Sequence, residues 1–201
     1  MTRILLVLLF FVLGGHASAQ TTINDLFTEI EARRLQLESV AGNGSSSGTV
    51  LNGYLVNESA TAKLIDINLS RPLFLVNRGS SQNMVATGVY LSGGRYSSNG
   101  RRSFITLPPK SRSAVTLLAY CADFEKDNPN ESDRFTIGTA PPVLELVMEN
   151  IKTYSIANPK TDLTVAAQAA IWLAQGRSMS EIQTRFTVSP ADERLARSFI
   201  R

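Results

Sequence analysis

The chain has 201 residues, 43% hydrophobic and 18% charged, with a formal net charge of +3. That composition excludes a highly charged disordered polymer, and so mild a charge gives no indication of nucleic-acid binding. A single cysteine, Cys121, excludes an intramolecular disulfide, and His16 is the one histidine.

Residues 1–19 read as a signal peptide. Arg3 supplies the positive end, 4–13 is an unbroken apolar run, and Ala17-Ser18-Ala19 places small residues at a cleavage site. The run is short for a membrane span. Gln20 stands where a lipoprotein would need cysteine. The reading is therefore an exported protein, periplasmic or secreted, peripheral to a membrane at most. Cleavage after Ala19 leaves 182 residues, a net charge of +2 and no histidine. A Ser-His-Asp triad, a Cys-His pair and an imidazole zinc site are then all excluded.

Within 20–41, Ile23, Leu26, Phe27, Ile30, Arg34 and Leu37 fall near one face at helical spacing. This predicts an N-terminal amphipathic helix over 22–40, capped by Thr22, with Glu29 in water and paired with Arg33. Residues 42–48, Gly-Asn-Gly-Ser-Ser-Ser-Gly, predict a flexible linker. No lysine follows to make it a phosphate loop.

Residues 49–138 predict a β-rich body of seven strands, over 50–56, 64–69, 73–76, 84–91, 104–107, 114–122 and 134–137. Asn57-Glu58-Ser59 and Asn77-Arg78-Gly79-Ser80 are turns, and 97–102 reads as a polar loop. No long helix separates any pair, so the strands should be antiparallel.

Residues 139–201 turn helical. Val143, Leu146, Val147, Asn150, Ile151 and Tyr154 make one stripe after Pro141-Pro142. An alanine-rich helix over 162–175 carries Val165, Ala169 and Trp172 toward a core and ends at Gly176. Ser178 with Glu181, and Ser189-Pro190 with Asp192, read as two capping boxes. The expected fold is α+β: an antiparallel β-sandwich or small barrel-like body, an N-terminal helix and a C-terminal helical segment packed on the body.

Three groups are chemical candidates. Cys121 ends the most apolar strand, where a free thiol is expected to act as a small buried hydrophobe. Asp123, Asp127 and Asp133 in the acidic loop offer oxygen ligands of the kind calcium takes, without the spacing of a helical calcium loop. The same loop could supply a carboxylate pair for glycoside hydrolysis. Tyr90, Arg95, Tyr96, Arg101 and Arg102 cluster in sequence around a possible hairpin, able to hold an anionic partner or glycan by charge and stacking.

No coherent catalytic set or cofactor motif emerges. The sequence therefore points to a noncatalytic exported binding protein of the envelope, with an envelope protein or glycan as partner and no nucleic acid. The alternatives are an assembly component of an envelope complex, docking through its N-terminal helix, and a carboxylate-dependent hydrolase.

Overall fold

The computed structural model describes residues 23–66, 68–91, 96–99, 102–158 and 160–201. The expected signal peptide lies outside them, as does Thr22. The chain is an α+β fold built on a nearly closed six-stranded antiparallel sheet.

A two-residue strand, β1 (Ile23–Asn24), leads into α1 (Leu26–Glu31). Asp25 is the cap, accepting the Thr28 amide at 2.9 Å. The helix predicted over 22–40 is limited to those six residues. Arg33 turns left-handed at φ 54°, and the chain then runs extended as β2 (Leu35–Gly42). The cause is a bulge. Ser39 sits at φ 51°, where the pairing register shifts between Glu38 and Ala41. An extra residue changes which strand positions face inward. Leu35 and Val40 are both buried, five apart instead of an even number. Spacings of that kind imitate a helical stripe.

The expected linker is instead a short hairpin loop. It joins β2 to β3 (Ser47–Asn57), which is antiparallel to it. Much of the segment expected as an N-terminal arm, Leu35–Gly42, is a strand of its own sheet.

The chain continues through β4 (Lys63–Asp66), β5 (Asn68–Asn77) and β6 (Met84–Leu91). The predicted strand 64–69 is divided between β4 and β5, and β5 runs on through Pro72 to take in the predicted strand 73–76. The break in its pairing with β6 falls between Asn68 and Leu73, so the missing N–H of Pro72 costs no regular ladder bond. The expected polar loop at 97–102 is replaced by a hairpin of β7 (Tyr96–Asn99) and β8 (Arg102–Leu107). Strands β9 (Ser111–Cys121) and β10 (Phe135–Gly138) complete the set.

The larger sheet has the order β10-β5-β6-β9-β3-β2, and the smaller β1-β4-β8-β7. In the larger sheet the outer strands approach each other through the loop before β10. Gly42 N–H donates to Asn130 O at 3.0 Å, and Gly44 N–H to Pro129 O at 2.8 Å. Asn57 ties the end of β3 to the connection following β8, donating to Pro108 O at 2.7 Å.

Four helices follow: α2 (Pro142–Ala157), α3 (Thr164–Ala174), α4 (Met179–Gln183) and α5 (Pro190–Phe199). Both predicted capping boxes form, and Gly176 takes φ 86° at the exit of α3. Helix α3 packs between β9, β3, α2 and α5. Seven successive residues, Ala166 to Trp172, are buried. Alanine permits that close approach on several sides at once. Trp172 belongs to this core, edge-on to Phe124 at 4.9 Å. Among the described residues no helix is long and apolar enough to cross a membrane.

Candidate recognition cleft

Helix α2 decides the shape of the surface here. Pro142 begins it, where the absent N–H would have had no helical partner. Two overlapping stripes share the helical period. The expected one held Val143 and Leu146, but these are 48% and 56% exposed. The buried stripe is Leu144, Val147, Met148 and Ile151. The sequence offered both phases, and contact with β5, β6 and α3 selected the second.

Between α2 and the sheet lies a cleft of about 480 Å³. That size is ordinary for a ligand site. Strand β5 contributes Pro72 and Phe74, and the connection from β10 contributes Gly138 to Ala140. Helix α2 contributes Glu145, Met148 and Glu149. Phe74 and Met148 are buried and so form the apolar base, whereas both glutamates are exposed at the rim. Gly138 is paired with Phe74 across the β10–β5 ladder. A Cβ there would lie 2.4 Å from Val76 Cγ2, so the strand end closes on β5 because no side chain is present. Glu145 and Glu149 are one turn apart on α2, a like-charge spacing that repels. Lys152 reaches Glu149 at 3.6 Å.

None of these cleft residues was singled out from the sequence. Met148, three and four residues from buried neighbours, was the one available signal.

Of the five residues singled out around the hairpin, Tyr90, Tyr96 and Arg102 fall on described strands. Tyr90 is partly exposed on β6, across from Thr116. Arg95 and Arg101 lie outside the described residues. Tyr96 pairs with Ile105 and Arg102 with Asn99 in the β7–β8 hairpin.

Two carboxylates of the acidic loop accept backbone amides. Asp123 accepts the Asn83 amide at 2.8 Å and meets Lys126 at 3.2 Å. Asp133 is buried and accepts the Asn130 amide at 2.8 Å. Burial raises its affinity for a proton, but bonds from Asn130, Ser81 and Asn77, with Arg134 nearby, outweigh that and hold the carboxyl below its usual range. Asp127 is exposed, and its backbone carbonyl accepts the Gln82 amide at 3.1 Å. Among the described residues no three His, Cys, Asp or Glu side chains are grouped to hold a metal ion.

Cys121 is buried, with Sγ 3.9 Å from Asn128 Oδ1. Burial, reinforced by Asp123 and opposed by Arg185, pushes its thiol up to about 12. A thiol so rarely ionised is a poor nucleophile.

Elsewhere, Arg177 and Arg185 lie 5.0 and 5.1 Å from the Phe124 ring. Arg185 also donates to Phe124 O at 2.8 Å. These contacts secure the loop after β9 to the helices.

No family model, no curated protein and no solved structure matches this chain.

Proposed function

We propose that this chain is an exported, noncatalytic binding protein of the cell envelope that holds a protein partner at the cleft between α2 and β5. The supporting observation is the cleft itself, with its apolar base of Phe74 and Met148. Val143 and Leu146, outside the lining but exposed on the helix that forms one wall, add apolar surface of the kind a partner covers. Export is supported by the signal-peptide pattern of residues 1–19.

The test is capture by the full chain carrying a C-terminal tag, expressed in a secreting host. Mass spectrometry of the recovered protein should find Gln20 at its N-terminus. A partner captured by the parent protein should be lost with Leu146→Glu and kept with Tyr90→Ala. Retention by Leu146→Glu with loss by Tyr90→Ala would move the site to β6 and overturn the cleft.

A further inference from the structure

The charge and shape of the cleft narrow the class of partner, an inference that rests on the binding reading. We propose that the cleft takes a peptide segment presenting one apolar side chain beside a lysine or arginine. The base is apolar on both sides, Phe74 from the sheet and Met148 from the helix. A methionine side chain adapts its shape to an incoming aliphatic group. The cleft of about 480 Å³ has room for one or two side chains of a peptide.

The rim carries the second half of the recognition. Glu145 and Glu149 both line the cleft, and no basic residue does among the described residues. Lys152 sits one turn beyond and meets Glu149 at 3.6 Å. The two carboxylates repel each other across one turn of helix, and a cation placed between them relieves that repulsion. A sugar ring would need an open aromatic face for stacking. Phe74 is 7% exposed and Met148 2%, so the base offers an apolar floor but no open ring face, and Phe74 is the one aromatic residue among the described lining. An anionic ligand would meet both glutamates. A cationic, apolar peptide is the occupant that satisfies base and rim together.

The test uses the full chain with 13C-methyl methionine and follows the Met148 resonance. Three acetylated, amidated pentapeptides serve as probes: Gly-Lys-Leu-Lys-Gly, Gly-Glu-Leu-Glu-Gly and Gly-Lys-Ser-Lys-Gly. Saturable movement of Met148 with the first, and little with the other two, is expected. Glu145→Gln combined with Glu149→Gln should weaken that binding about threefold to tenfold at low salt, because each exposed charge contact contributes little. The difference should vanish in 0.5 M NaCl.

Equal movement with Gly-Glu-Leu-Glu-Gly or Gly-Lys-Ser-Lys-Gly would overturn the inference. So would movement with chitotetraose, movement on concentrating the protein alone, or none with any probe. If a captured partner is still lost with Leu146→Glu while the peptides fail, the binding reading stands and only the partner class falls.

Discussion

Gln168 and Cys121 face each other as though the glutamine were another strand. The Cys121 amide donates to Gln168 Oε1 at 2.8 Å, and Gln168 Nε2 donates back to the Cys121 carbonyl at 2.8 Å. Both residues are wholly buried. Two helical turns further along the chain, Gln175 Nε2 donates to Ala122 O at 2.6 Å. The helical segment is therefore pinned to the end of β9 by side-chain amides that complete backbone hydrogen bonding.

Replacing Gln168 by leucine takes the Gln168 donor from the buried Cys121 carbonyl, while the Cys121 amide keeps Ser46 O at 3.0 Å. The expected loss is about 1–3 kcal/mol, the cost of one buried polar group left without a bond. Urea unfolding should show a lower midpoint with an unchanged slope. A variant as stable as the parent would mean that the contact does not hold in solution.

Gly42 and Gly44 offer a comparison of crowding with backbone strain. A Cβ on Gly42 would lie 2.4 Å from the carbonyl carbon and oxygen of Pro129, both backbone atoms. At Gly44 nothing lies within 4 Å, but φ is 92°. Gly44→Ala should cost about 1–2 kcal/mol through its left-handed backbone alone. Gly42→Ala should cost more, because the loop that nearly closes the sheet must move away. Thermal melts of the two variants settle the order.

Glu29 gives the fold a pH dependence. It was expected in water; instead it is 3% exposed, bonded to Arg34 at 2.7 Å and Lys63 at 3.0 Å. The Arg34 hydrogen bond holds its carboxyl below the usual range, with Lys63 adding to that and burial opposing it. A carboxyl whose folded pKa is depressed stabilises the fold fully above its unfolded value of about 4.3, and that stability is lost as pH falls through the folded pKa. Glu29→Gln should cost about 1.5–3 kcal/mol at pH 7, in line with hydrogen bonds to charged groups. The gap between parent and variant should narrow below about pH 4.3. A gap that stays constant down to pH 3 would contradict the assignment.

Cys121 should be silent until the protein opens. With the thiol pushed up to about 12 by burial, a disulfide reagent at pH 8 should label the native chain slowly and the urea-unfolded chain at once. Rapid native labelling would place the thiol at the surface.

Legibility followed the range of the interactions. Ser178 with Glu181, and Ser189 with Asp192, are bonds across three residues, so their patterns alone located two helix starts. Strand β6 was read at its observed bounds because its β-forming run is flanked by turn residues on one side and glycines on the other. The N-terminal segment failed for the opposite reason. One residue, Ser39, changes the parity of β2, and the apolar spacing then resembles a helix. The partners of the acidic loop were not legible, because a run of carboxylates says nothing about which will accept backbone amides.

By itself the sequence determined the α+β class, the late helices with their caps, and the run of small residues that lets α3 become buried. Each depends on propensity or on neighbours a few positions apart, and so is written locally. The tertiary structure alone decided that Leu144 and Met148 turn inward while Val143 and Leu146 remain in water, because both stripes have the same period and only the surface of β5 and β6 distinguishes them. It also decided the pairing of Glu29 with Lys63 and of Gln168 with Cys121. Those contacts join residues 34 and 47 positions apart, where the chain between them carries no record of the meeting.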